Sequence, residues 1–177
     1  MSVAQAIPVE VYLSTVYRPD CDFIDGRIEG RNLGEREHAT LQSIFLNLFF
    51  ERRREWNIAA LTEQRVQISR TRFRIPDVSV LRRSDPMESI VLRAPLICIE
   101  VLSPEDTFRK MQERVDDYLE MGVEHVWCID PVSRHAYVAT STGYEIPANG
   151  VFTVPGTPIR IELTHLFQLF DEELAGL

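Results

Sequence analysis

Residues 95–106 of the chain read PLICIEVLSPED, and this block with its two neighbours decides the fold. The segment PLICIEVL is apolar except for Glu100, which is typical of a strand buried on both faces of a sheet. A lone buried carboxylate is costly, so such a group is normally paired, protonated or bound to a metal. We therefore expect Glu100 to have a partner.

A second acid, Asp77, lies in the upstream segment RIPDVSVL, residues 74–81. Pro76 is expected at the start or edge of this strand, because proline donates no hydrogen bond to a sheet. If the two strands are neighbours, Asp77 and Glu100 converge at one end of the sheet, with the carbonyl of Val101 as a third oxygen. Such ligands suit Mg²⁺ or Mn²⁺. A structural ion-pair network is the alternative that these residues leave open.

The downstream segment, residues 106–121, has the apolar spacing of an amphipathic helix. Ser103, Glu105 or Asp106 is expected to cap its start, and Gly122 to end it. The following segment VEHVWCID has the composition of another buried strand.

Basic residues of this helix are expected to complete the acidic site. Lys110, Arg114 and Tyr118 follow one another at intervals of four residues, so they share one side of the helix near the strand end that bears Glu100. Lys110 is the only lysine among the 19 basic residues.

The remaining segments complete an α/β pattern. We expect a short helix over residues 8–16, a hairpin at Asp25-Gly26, an amphipathic helix from about Glu35 to Arg54, and a closing helix in LTHLFQLF. Three sheet strands are expected across IAALTEQRVQIS, RFRIPDVSVL and PLICIEVL. No linker or repeat is visible, so residues 1–177 are predicted to form a single domain.

Composition restricts the classes of function. The net charge of -8 argues against a protein that coats nucleic acid nonspecifically, since Lys and Arg supply most of that affinity, although local basic patches still permit a nuclease. No apolar run is long enough for a membrane span, and the first residues do not resemble a signal peptide, so a cytoplasmic location is expected. Three widely spaced cysteines fit neither disulfides nor a zinc site and are expected to be buried or half-buried.

Other polar residues have two readings each. Arg70, Arg72 and Arg74 alternate along a strand and form either an electrostatic track toward Asp77 or a solvated face of the sheet. His38, near the start of the long helix, either approaches a metal or substrate or makes a structural hydrogen bond.

The chain resembles the Uma-type restriction endonucleases of the PD-(D/E)XK nuclease superfamily. The resemblance covers most of the chain, and the EVLSP and GVxxVWxxDP blocks are its most specific parts. It implies a restriction-endonuclease-like α/β fold, in which a central mixed β-sheet is flanked by helices, and it implies Asp77 and Glu100 as metal ligands. The matching positions are Asp25-Gly26, Glu37-His38, Pro76-Asp77, Glu100 to Pro104, Tyr118, Gly122-Val123, and Trp127 with Asp130-Pro131.

One motif position departs from the superfamily pattern. A lysine is expected two residues after the acid, where this chain has Leu102; in this family a lysine of the next helix replaces it, and Arg114 holds that position here. Arginine stays protonated, so Arg114 can stabilise phosphate charge but cannot act as a general base. Lys110, one turn earlier, is the hypothetical substitute.

Two functional hypotheses follow. The first is a metal-dependent endonuclease that hydrolyses DNA with Mg²⁺ or Mn²⁺ at Asp77 and Glu100, with Arg114 and Lys110 stabilising the developing charge. The second is a non-catalytic oligomeric binding or scaffold protein of the same fold. Homodimerisation is expected only by analogy with the fold class.

Overall fold

The computed structural model describes residues 6–31 and 35–176, so the two ends of the predicted 1–177 domain lie outside it. It contains four α-helices and twelve strands within the described residues. The helices are α1 (Val9–Ser14), α2 (Arg36–Arg52), α3 (Phe108–Met121) and α4 (Leu163–Gly176). The strands are β1 (Cys21–Ile24), β2 (Arg27–Gly30), β3 (Ile58–Thr62), β4 (Val66–Ser69), β5 (Arg72–Arg74), β6 (Val78–Arg82), β7 (Ile97–Val101), β8 (His125–Ile129), β9 (Ala136–Thr140), β10 (Gly143–Glu145), β11 (Val151–Thr153) and β12 (Arg160–Glu162).

A mixed sheet forms the centre of the molecule, with strand order β10-β9-β8-β7-β6-β3. Strands β7 and β8 are parallel and joined through α3, whereas the other neighbours are antiparallel. One face packs against α2 and α4 in a core that includes Phe45, Trp127 and Phe170. The other face packs against α3. The predicted fold, a central mixed sheet flanked by helices, is thus confirmed.

Alternation along β7 places its one acid on the α3 side. Ile97, Ile99 and Val101 belong to the core shared with α2 and α4, whereas Cys98 packs with residues of α3. Successive side chains of a strand point to opposite faces, so Glu100 faces α3 together with Cys98. The position of Glu100 in the apolar run therefore decides which helix it meets.

The predicted helix after β7 is confirmed with a later start. It begins at Phe108, and the Thr107 side chain accepts a hydrogen bond from the Lys110 amide, so Thr107 is the cap instead of the three residues expected. Asp106 accepts from the Ser103 amide and serves the preceding turn. Gly122 ends the helix in the left-handed conformation (φ 96°), as expected for a glycine at that position.

A four-stranded antiparallel sheet, in the order β2-β1-β5-β4, was not expected from the sequence. The segments IAALTEQRVQIS and RFRIPDVSVL each divide between this sheet and the central one, so the prediction of three strands was wrong: five are present from β3 to β7. Pro76 lies in the break between β5 and β6, where the missing amide hydrogen costs no ladder bond. The predicted hairpin at Asp25-Gly26 is confirmed between β1 and β2.

The expectations for Trp127 and for the three cysteines are also confirmed. Trp127 is fully buried and stacks on Phe152 with ring centroids 4.6 Å apart. Cys98 and Cys128 are buried and Cys21 is half-buried, and none forms a disulfide. None of the helices that the structure describes is long and apolar enough to cross a membrane.

Candidate active site

The register of β6 and β7 brings the two predicted acids together. Val78 pairs with Ile99, so Asp77, which immediately precedes β6, lies level with Glu100 at the end of β7. The Val101 amide donates a 2.8 Å hydrogen bond to Oδ2 of Asp77 and joins the two strand ends. Asp77 and Glu100 are 2% and 3% exposed, so both carboxylates are effectively removed from water.

Asp77 is held in its charged form by three donors. Nη2 of Arg31 lies 2.6 Å from Oδ1, and Nε2 of His38 lies 3.2 Å from Oδ2, beside the Val101 amide. Burial acts to raise the pKa of Asp77, but the His38 hydrogen bond and the Arg31 charge outweigh it and lower the pKa below the ordinary value of 3.8. The same contact raises the pKa of His38 above 6.5 against the effect of burial.

Glu100 has a different balance of forces. The Tyr118 hydroxyl donates to Oε1 at 2.6 Å, and Nε of Arg114 lies 2.8 Å from Oε2. Burial raises the pKa of Glu100 to about 7, and the negative charge of Asp77 adds to the rise while Arg114 opposes it. The two neighbouring acids therefore have pKa values shifted in opposite directions, a pattern that is frequent in functional sites.

The predicted side of α3 reaches the acids in part. Arg114 and Tyr118 contact Glu100 directly, and Nη2 of Arg114 also lies 3.0 Å from Oδ1 of Asp106. The N–H at Nε of Arg114 is buried and not aligned with any acceptor among the described residues, so its 2.8 Å approach to Glu100 is an ion pair without a well-formed hydrogen bond. Lys110 is exposed and lines the same cavity without contacting either acid in the ion pairs of the described residues.

These side chains line a polar cavity of about 520 Å³, which we call the acidic cavity. Asp77, Glu100 and Val101 lie in its wall with four further carboxylates and with five cationic side chains, which fit a negatively charged ligand. The five cationic side chains are those of Arg31, Arg74, Arg109, Lys110 and Arg114.

Of the three alternating arginines, Arg74 lines the acidic cavity together with Asp77, whereas Arg70 and Arg72 do not line it. Arg74 is 4% exposed and lies 2.9 Å from Asp22 and 2.7 Å from Asp117. Arg72 bonds to Asp25 and Asp117. Arg70 lies in the turn before β5 and is exposed. Arg72 and Arg74 thus connect the four-stranded sheet to α3 through the buried carboxylate of Asp117.

Arg31 is the site residue that sequence reasoning missed. It follows β2 in the chain, 46 positions before the acid it contacts, and no local pattern distinguishes it from the other arginines. The predicted hairpin at Asp25-Gly26 was the signal that could have indicated Arg31. The turn lies beside the start of β5, and β2, which leaves this turn, ends close to Asp77.

The acids fit a hard divalent cation in type and placement. Two carboxylates meet at one strand end in a cavity wall, and each oxygen can accept a second interaction beside its present partner. Among the described residues no group of three or more His, Cys, Asp or Glu side chains is arranged to hold a metal, so a cation would depend on these two carboxylates, the Val101 carbonyl and water. It would also compete with Arg31 and Arg114.

Comparison with known proteins agrees with this architecture. A crystal structure described as that of "a putative nuclease belonging to DUF820" from Anabaena variabilis superimposes with a TM-score of 0.81 at 22% sequence identity, over 93% of this chain and 99% of that one. No curated protein matches the chain. The family described as "Uma2: Putative restriction endonuclease" matches residues 14–164. The chain therefore has the fold of the Anabaena variabilis protein and belongs to the Uma2 family.

Proposed function

We propose that this protein is a metal-dependent nuclease that hydrolyses phosphodiester bonds of DNA. The observation that carries the proposal is the meeting of Asp77 and Glu100 at adjacent strand ends in the wall of a cavity lined by five cationic side chains. Family membership agrees with this reading, because the matching family is described as restriction endonucleases.

Asp77 and Glu100 would hold Mg²⁺ or Mn²⁺, with the carbonyl of Val101 as the proposed third protein ligand. Such an ion supplies Lewis-acid stabilisation of the phosphate and lowers the pKa of a water molecule. The Val101 amide and His38 fix the Asp77 carboxylate, and Tyr118 fixes that of Glu100, so both ligands are oriented before any cation binds.

The cationic side chains would act on the phosphate itself. Arg114 stays protonated, so its role is to stabilise negative charge in the transition state. Lys110 is exposed at the cavity and long enough to bind a phosphate, so we assign it the charge that the missing motif lysine would supply. Arg31 neutralises Asp77 and would hold a phosphate oxygen when a cation displaces it.

A second candidate has its own supporting observation. Every oxygen of both carboxylates already accepts from, or pairs with, an arginine, His38, Tyr118 or an amide. A site neutralised in this way fits a non-catalytic member of the fold that binds a partner, for example as a homodimer.

The deciding experiment is Mn²⁺-dependent cleavage of single- and double-stranded DNA by the wild type and by Asp77→Asn. A matched control is Asp116→Asn, which changes an exposed aspartate on α3 outside the acidic cavity. Activity that is present in the wild type and the control but absent in Asp77→Asn supports the nuclease. Equal activity in all three indicates a contaminant, and absence of activity in all three favours the non-catalytic protein.

A further inference from the structure

A second cavity of about 410 Å³ adjoins the acidic cavity at the start of α3. Asp106 and Thr107 line both cavities, so the two are neighbours on either side of the turn that caps this helix. We call it the aromatic pocket, because Phe108, Tyr137 and Tyr144 form much of its wall. No step of the proposed hydrolysis uses it.

The three rings are arranged around the pocket in edge-to-face contacts. The ring centroids of Phe108 and Tyr144 are 5.8 Å apart and those of Tyr137 and Tyr144 are 6.2 Å apart. Phe108 is 67% exposed although it is the first residue of the helix, where a polar residue would serve as well. A single exposed phenylalanine is ordinary on a protein surface, but one at the rim of an aromatic cavity offers a free face for stacking.

Polar groups accompany the rings in the residues of the pocket wall. The hydroxyl of Tyr144 is buried and has no hydrogen-bond partner among the described residues, an arrangement that is rare for a buried hydroxyl. Ser133 and His135 lie in the same wall and bond to each other, with 2.9 Å between Oγ and Nδ1.

We propose that the aromatic pocket binds an unpaired nucleobase of a single-stranded DNA whose adjoining phosphate lies in the acidic cavity. A nucleobase has two apolar faces for the rings and a polar edge for the exposed side chains of Ser133 and His135 in the same wall. Its phosphate is joined to it through one sugar, which suits two cavities that share a wall. A base inside a duplex cannot enter, because its faces are covered by its neighbours and its edge is paired.

This inference rests on the proposed function and adds a preference for unpaired DNA. It is tested by binding, with Ca²⁺ in place of Mg²⁺ and Mn²⁺, and with fluorescence anisotropy of a labelled single strand and of the matching duplex. The variants are Phe108→Ala, which changes an exposed side chain, and Phe108→Trp, which retains a stacking surface. The matched control is Phe50→Ala, since Phe50 is exposed on α2 and lines neither cavity.

We expect Phe108→Ala to weaken binding of the single strand by about 5- to 150-fold, the range that corresponds to loss of one base–aromatic stack. Duplex binding should not change, and Phe108→Trp and Phe50→Ala should bind as the wild type does. A single abasic position in the strand should weaken wild-type binding as Phe108→Ala does, and should add nothing in that variant.

Three results would contradict the proposal that the aromatic pocket binds a base. They are an unchanged affinity of Phe108→Ala for the single strand, equal losses of affinity for single strand and duplex in this variant, and no binding of the single strand by the wild type. These results are separate from the fate of the nuclease. If single-strand binding depends on Phe108 but cleavage does not depend on Asp77, only the proposal of a nuclease is refuted. If cleavage depends on Asp77 but single-strand binding is unchanged in Phe108→Ala, only the proposal of a base-binding pocket is refuted.

Discussion

The guanidinium of Arg31 lies 2.6 Å from Oδ1 of Asp77, so a residue that follows β2 neutralises the acid that precedes β6. The Arg31 side chain is 19% exposed and that of Asp77 is 4% exposed, which places the contact at the inner wall of the acidic cavity. A cation that binds Asp77 through this oxygen must compete with Arg31. The strength of that contact therefore affects both stability and metal affinity.

Replacing Arg31 by glutamine should lower stability and raise the response to metal. The free energy of unfolding should fall by less than the roughly 3–5 kcal/mol typical of a broken buried pair, because Asp77 keeps His38 and the Val101 amide. Saturating Mn²⁺ should then stabilise the variant more than the wild type, since the carboxylate is no longer shared. Urea unfolding with and without Mn²⁺ measures both effects. Equal stabilisation of the two proteins by Mn²⁺ would contradict a metal site at Asp77.

Arg74 should be essential to the fold. Arg74→Met leaves Asp22 and Asp117 buried without their shared cation, which should cost about 3–5 kcal/mol of unfolding free energy. Arg70→Met is the control, because Arg70 is exposed in the neighbouring turn and should change stability by about 0.5 kcal/mol or less. Urea denaturation compares them. Similar losses of unfolding free energy in both variants would show that the buried ion pairs of Arg74 do not stabilise the fold more than an exposed arginine does.

Glu100 should make stability depend on pH. Burial and the charge of Asp77 raise its pKa to about 7, so the native state holds this proton more tightly than the unfolded chain does. Its contribution to stability is complete below the ordinary pKa of 4.5 and is lost as the pH rises through about 7. Glu100→Gln cannot titrate, so the stability of this variant relative to the wild type should increase by up to about 3 kcal/mol between those limits.

The measurement for Glu100 is metal-free urea unfolding of both proteins over this pH range. Subtracting the two curves removes the other titrating groups that the proteins share, His38 included. A difference that stays constant with pH would show that folding leaves the pKa of Glu100 at its ordinary value.

Lys110 should affect catalysis more than folding. It is exposed at the acidic cavity, so Lys110→Ala should keep the stability of the wild type within about 0.5 kcal/mol. Loss of a cation that stabilises the transition state should lower kcat about 100-fold or more. Mn²⁺-dependent cleavage of DNA by the variant is the measurement. Arg52→Ala is the control, because its side chain is 57% exposed, pairs with Glu55 and does not line the acidic cavity. Unchanged cleavage by Lys110→Ala would eliminate Lys110 as the substitute for the motif lysine.

The short-range patterns of the chain were sufficient to predict the two acids as site residues and the helix that lies beside them. The apolar run around Glu100 predicts a buried strand, and the spacing of Lys110, Arg114 and Tyr118 predicts one side of a helix that follows it. Both depend on residues within a few positions of one another. The structure accordingly places Arg114 and Tyr118 on Glu100.

The partners that come from distant segments were not predictable in the same way. The alternation of Arg70, Arg72 and Arg74 is that of an exposed strand face, yet Asp22 and Asp117 arrive from other elements and allow Arg74 to be buried. The four-stranded sheet was missed because its strands are short and its pairing joins segments that are far apart in the chain.

The sequence by itself determined that Glu100 lies in a buried strand, that it needs a partner there, and that an amphipathic helix follows, because side-chain periodicity and the cost of burying a charge act locally. Only the tertiary structure decided which cations neutralise those acids, that their pKa values move in opposite directions, and that an aromatic pocket lies beside them. Coulomb energy and desolvation depend on distance and burial in three dimensions, and the spacing of residues along the chain does not specify either quantity.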